Sequence, residues 1–253
     1  MHLVDQLLAG LPDGEVEEVR IGLHWTAVVV EAHGEPRCGL ASTVAGGHEH
    51  GTEDVPQAGD LQACSGLELA ALIRRDEPAL RSVGVAALNA LLPRQPDDWV
   101  DRNAGEVIAQ HGANKEVVLV GHFPFIPRLR ERVGRLHVLE QDPGPDELPA
   151  GAAEDVMPRA DVAAITSMTL INQTLEDLLG LCRPDARVIL LGPSTPLSPV
   201  LFDHGVDLLC GSIVTGIEPV LRTVGQGGVF RQVHKAGVRL VAVERPDLGP
   251  SQS

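Results

Sequence analysis

The sequence has no tyrosine, four phenylalanines and two tryptophans in 253 residues. A core with so few rings must be filled by Val, Leu, Ile and Ala. Lysine is almost as scarce: Lys115 and Lys235 are the only two, and every other basic residue is arginine. That bias reads as genomic base composition more than as function. No apolar run reaches the roughly 18 residues that a membrane-spanning helix needs. The N-terminal stretch MHLVDQLLAGLPDG carries acids early and has no basic start before an apolar core, so it does not read as a signal peptide. Cysteine is sparse and unpaired in sequence. Cys38, Cys64, Cys182 and Cys210 form no CxxC, and reduced thiols in a cytoplasmic chain are expected. A P-loop, a nucleophile elbow, an HExxH helix and zinc-ribbon spacing are all missing. The formal net charge of −15, with no basic stripe, excludes a phosphate-tracking protein and argues against nucleic acid as a partner.

What is present divides at residues 93–105, PRQPDDWVDRNAG, which are rich in proline, charge and glycine. Before them the pattern predicts a short helix over residues 3–9 and β-runs over 16–23, 26–31 and 37–41, with a hairpin loop at Gly34–Glu35–Pro36. A small-residue loop over 46–63 leads to helices over 65–75 and 80–92. Ser65 and Glu68 have the spacing of a capping box. This first part, residues 1–95, is an α+β unit. After a short helix over 106–111, short apolar runs recur at 117–120, 136–139, 162–166, 188–191, 206–214 and 238–243. Helical stretches over 125–133, 169–181, 199–204 and 217–225 separate them. Apolar strands without alternation, interleaved with helices, predict an α/β second part over residues 106–246, with a parallel, Rossmann-like sheet covered on both faces.

In such a sheet ligands bind at the carboxyl ends of the strands, near the switch in strand order. The first loop there is Gly121, His122, Phe123, Pro124, where a glycine-rich phosphate loop would have further glycines. Gly121 would allow the sharp exit from the strand, and Pro124 would fit the partnerless first turn of a helix. The second loop opens with Glu140, 19 residues after Gly121, a spacing at which dinucleotide enzymes place the acid that accepts from a ribose. That acid favours NAD or S-adenosylmethionine, while His122 and Pro124 hinder close approach of a pyrophosphate. Thr166, Ser167 and Thr169 surround a helix start, where hydroxyls cap the helix or bind an anion, and Asn172 follows. Three prolines stiffen the next loop, which carries Pro193, Ser194 and Thr195.

Metal chemistry has its own candidates. The loop GGHEHGTED places His48 and His50 beside Glu49, Glu53 and Asp54, a donor set suited to zinc, nickel, cobalt or iron. His122 could add a ligand from the second part. Cys64, just before a helix N-terminus, has a place where thiolate would be favoured.

The segments GHFPFI, TSMTLINQTLEDLL and GPSTPLSPVLFDHGVDLLCGSIV resemble the C-terminal domain of a prokaryotic family labelled "putative heavy-metal chelation". CGLAS, ELAAL and VGVAALNALL resemble its usual N-terminal partner. The resemblance runs from about Val16 to Val243. It implies an enolase-N-terminal-like first domain, a Rossmann-like second domain and a ligand in the cleft between them. The matching positions are Gly121, His122, Phe123, Pro124, Glu140, Thr169, Asn172, Pro193, Ser194 and Thr195, with Asn89 from the first part.

Two readings follow. In one, the protein holds a transition-metal ion or a metal chelate between its two parts. In the other, it is an enzyme whose second part binds a nucleoside-containing cofactor of the NAD or S-adenosylmethionine type. Either way the partner is a metal ion or small molecule, with no nucleic acid and no membrane, and a homodimer is the default expectation.

Overall fold

The computed structural model describes residues 2–45, 55–100 and 102–246. Its first half opens with helix α1 (Leu3–Leu8) and the antiparallel meander β1 (Glu15–Ile21), β2 (Trp25–Ala32) and β3 (Glu35–Ser42). Helices α2 (Gly66–Ala71) and α3 (Pro78–Leu91) follow. Ser65 caps α2 and Glu68 closes the box, as their spacing predicts. The β2–β3 turn is His33–Gly34, one residue tighter than the expected loop, with φ of +56° and +80°. β2 is apolar on both faces because both are covered. Val28 and Val30 face a cluster with α3, while Trp25, Ala27 and Val29 pack against Val220, Leu221 and Val224 of the second half. Helix α3 lies so close on β3 that a Cβ on Gly39 would sit 1.9 Å from the Ala86 carbonyl oxygen.

The second half begins with α4 (Ala104–His111), β4 (Glu116–Val120), α5 (Ile126–Arg130), β5 (Arg135–Glu140), β6 (Leu148–Pro149), α6 (Ala153–Val156) and β7 (Val162–Thr166). It continues with α7 (Met168–Ile171), α8 (Leu175–Leu181), β8 (Arg187–Leu191), α9 (Val200–Asp203), β9 (Leu208–Val214), α10 (Ile217–Gly225), α11 (Phe230–Gly237) and β10 (Val238–Glu244). One seven-stranded sheet runs β10-β9-β8-β7-β4-β5-β6. Every neighbouring pair is parallel except β9 with β10. Read from β6 to β9, the order is that of doubly wound dinucleotide-binding sheets, with the switch between β4 and β7.

The continuous apolar runs have a direct cause. Successive strand side chains point to opposite faces. Val117 and Leu119 meet α4 and α5 through Ile108 and Leu129, whereas Val118 joins Leu170, Ile171 and Leu175 on the other face. Burying each Leu or Ile contributes roughly 1.5–3 kcal/mol, so both helix layers hold the sheet.

The structure departs from expectation in several places. β10 is antiparallel, a direction that the apolar run alone does not show. The helix expected over 169–181 is broken at Asn172–Thr174, where Gln173 has φ +60°. The two-residue β6 is too short to give a periodic signal. Helices α6 and α11 were also not expected. Among the described residues no helix is long and apolar enough to cross a membrane.

Candidate functional site

At the switch point the chain leaves β4 through Gly121, whose φ is +105°. A Cβ there would lie 2.9 Å from Cβ of Thr166, so the turns after β4 and β7 can approach only with glycine in place. The Gly121 amide donates to the Leu139 carbonyl at 2.9 Å, carrying the β4–β5 ladder into the loop. Pro124 does not open the next helix. α5 starts at Ile126, and Pro127 is the proline in its first turn. At five residues, α5 is also too short to serve as an anion site.

Between these turns lies a cavity of about 430 Å³. Gly121, His122 and Phe123 form one side of it. Glu140 stands at the end of β5, and Thr166, Thr169 and Asn172 come from the β7 side. The Thr169 hydroxyl donates to the Thr166 carbonyl at 2.6 Å, and the Thr166 hydroxyl accepts from the Met168 amide at 3.4 Å. Glu140 accepts from the following Gln141 amide at 3.0 Å. Glu154 and Asp177 add two further acids, and among the described residues no Lys or Arg lines the cavity. Met168, Leu178 and Leu181 give it an apolar wall.

His122 bridges two loops as well as lining the cavity. Its Nδ1 lies 2.7 Å from Oε1 of Glu147, in the loop after β5. The Gly144 amide also donates to Glu147, at 2.9 Å. These two bonds, the backbone one first, hold the Glu147 carboxyl below its ordinary value. Glu147 had no sequence signal, being one acid among several in DPGPDELP. Phe123 and Phe125 stack on each other, centroids 5.2 Å apart, and pack with the α4–α5 layer rather than with the first half.

The other expected site residues lie elsewhere. Ser167 is buried and does not cap α7; its Oγ would be 2.6 Å from a Cβ on Gly192, so it packs under that turn. Ser194 is fully buried, and its hydroxyl accepts from the Ser42 amide at 2.8 Å. The Asn89 amide donates to the carbonyls of Leu40 and Ser194, at 3.0 and 3.1 Å. The stiff loop thus fastens the two halves, and within the second half its Pro193 carbonyl accepts from the Ser212 hydroxyl of β9. Thr195 lines a different cavity. The surroundings of Cys64 do not favour its thiolate: burial, then Glu68 and Asp60, push it upward. His48 and His50 lie outside the described residues.

Comparison with known proteins agrees with this architecture. A family model described as "Putative heavy-metal chelation", DUF364, matches residues 103–242. The chain belongs to this family. A second model with the same description, DUF4213, matches residues 4–92. A DUF364 protein of unknown function from Desulfitobacterium hafniense superposes with a TM-score of 0.83 at 25% identity, over 96% of this chain and 98% of that one. A Pyrococcus horikoshii member of unknown function gives 0.81 at 22% identity, with the same coverage. An uncharacterised protein of Methanocaldococcus jannaschii is 24% identical over 218 residues, 83% of this chain and 82% of its own length.

The family description invites a test of fit for a metal. Among the described residues no group of three or more His, Cys, Asp or Glu side chains is placed to hold one. His122 with Glu147 supplies two such groups, fewer than a closed protein site needs.

Proposed function

We propose that this protein binds a nucleoside-type small molecule without a pyrophosphate, of the S-adenosylmethionine class, in the switch-point cavity. The observation that carries this reading is Glu140, an acid at the end of β5 on the rim of a cavity that no described Lys or Arg lines. A carboxylate there accepts from ribose hydroxyls. The acids and the His122–Phe123–Pro124 turn disfavour phosphates, whereas the apolar wall accepts a base. The ligand site is then lined by residues of the second half alone.

The test is a thermal-shift titration with S-adenosylmethionine, S-adenosylhomocysteine, NAD and ATP. A ligand at 100 times its Kd stabilises the fold by about 2.7 kcal/mol. Glu140→Ala is expected to weaken binding about tenfold, or 1.4 kcal/mol. Equal stabilisation of the variant, or NAD and ATP binding as tightly as S-adenosylmethionine, would end the reading.

A second reading, binding of a metal or metal chelate, is favoured by the family description and by the orientation of His122. Glu147 occupies Nδ1, the arrangement in which a carboxylate orients a metal-ligating imidazole and leaves Nε2 for the metal. The other ligands would come from the chelator or from the loop that carries His48 and His50. Metal analysis of untagged protein, followed by calorimetry with zinc, nickel, cobalt and iron(II), tests it. No stoichiometric metal and no binding tighter than about millimolar, about 4 kcal/mol, would sink it.

A further inference from the structure

A second cavity, of about 390 Å³, lies where residues 89–100 meet the second half. Its walls are apolar, with Leu92, Val100, Leu197, Phe202, Leu209 and Ile213 contributing. Trp99, one of the chain's two tryptophans, lines it, with the Arg239 guanidinium 5.7 Å above the ring. Volume and lining are those of a small-molecule site.

Two of its polar groups stand out as available to a ligand. Thr195 is 2% exposed, and its Oγ1 has no hydrogen-bond partner. A buried hydroxyl without a partner costs stability, and among the described residues the fold offers Thr195 Oγ1 no partner of its own. Arg94 is the other. Its guanidinium reaches the Val214 carbonyl only at 3.4 Å and the Glu35 carboxylate only at 3.9 Å. Glu244 and Asp98 also line the cavity, but Glu244 faces Arg187 at 3.5 Å and Asp98 is exposed. Arg245 also lines the cavity, and its Nε has no hydrogen-bond partner, but its charge is paired with Asp207 at 3.2 Å. Of the two arginines in the lining, Arg94 is thus the one with the more distant carboxylate, at 3.9 Å.

We propose that the junction cavity is a second ligand site, which takes an apolar, aromatic carboxylic acid. The ring lies among Trp99, Phe202 and the aliphatic wall. The carboxylate pairs with Arg94, and an oxygen of the ligand accepts from Thr195 Oγ1. The Asn89 and Ser194 bonds fix the loop that carries Thr195, so the site exists only when the two halves are docked.

The probe is 2-naphthoate, titrated by calorimetry into the full chain, with 2-naphthylmethanol as its uncharged counterpart. The acid is expected to bind with a Kd below about 1 mM, a threshold of weak but specific association. The alcohol should bind at least about fivefold more weakly, since it lacks the charge-assisted pair. Arg94→Gln should weaken the acid about tenfold. Thr195→Val should weaken it about fivefold while leaving the melting temperature unchanged or higher, because the orphaned hydroxyl is gone. S-adenosylmethionine should not displace it. Absence of saturable binding below about 1 mM overturns the proposal. So does wild-type affinity in either variant, equal binding of the alcohol, or displacement by S-adenosylmethionine.

Discussion

The Nδ1 of His122 lies 2.7 Å from Oε1 of Glu147, and the ionised carboxylate makes the imidazole the donor. The His122 side chain is 65% exposed and that of Glu147 only 11%. The acid is thus the fixed partner and the imidazole the presented one. Glu147 is held below its ordinary value of 4.5 by the Gly144 amide and by His122. A depressed carboxyl favours folding above that value and loses its contribution as pH falls through the folded pKa. Thermal melts from pH 6 to pH 3 should therefore show Glu147→Gln losing less stability on acidification than the unmodified chain. Parallel curves would mean that Glu147 is not linked to folding. Asp161, lowered by the Glu116 amide and then Arg183, remains in both proteins, so its contribution cancels in the comparison.

The two halves are fastened through Asn89. Asn89→Ala removes the donor to two carbonyls, those of Leu40 and Ser194. Leaving such acceptors unsatisfied costs about 1–3 kcal/mol. Ser194→Ala removes the acceptor of the Ser42 amide on the same loop. The sites share that loop, so the double variant should depart from additivity by at least about 0.5 kcal/mol. Denaturant midpoints read all three. Simple additivity would show that the loop is not a single fastening.

The second sheet was legible because its strands are buried on both faces, which makes continuous runs such as VVLV and AAIT stand out. The direction of β10 was not, since an edge strand of either sense has the same composition. Glu140 could be placed by spacing, because the acid and Gly121 end neighbouring strands that pair in register. Ser194 could not. Proline and hydroxyl density predicts stiffness but not the object of that stiffness, and its partner Ser42 is 152 residues away. Glu147 was hidden for the same reason: its role depends on where the β5–β6 loop folds, and no local pattern encodes that. Helix α11 carried a readable signal in Phe230, Val233 and Ala236, apolar residues three apart.

The thiols should be inert. Burial pushes Cys38 and Cys210 up to about 12 and Cys182 to about 11, and Cys64 is raised as well. Alkylation needs the thiolate. Iodoacetamide at pH 8 is therefore expected to modify the native chain slowly and all four cysteines rapidly once unfolded, as read by intact mass. Fast native modification of Cys64 would restore it as an activated thiol.

Gly121→Ala tests the switch-point turn from two directions. At φ +105° an L-residue is strained, and the new methyl would meet Thr166 Cβ at 2.9 Å and Cγ2 at 3.0 Å. The expected loss of stability is about 1–3 kcal/mol from backbone strain alone. The contact adds to it unless the β4 and β7 turns separate. If they separate, Glu140 and Thr169 move apart across the cavity, and S-adenosylmethionine binding should fall with stability. Comparison with Gly205→Ala isolates the two effects. Gly205 also has positive φ, +87°, but a Cβ there meets nothing within 4 Å. The Gly205 variant should therefore lose stability without losing affinity. Equal losses of affinity in both would detach ligand binding from the geometry of this turn.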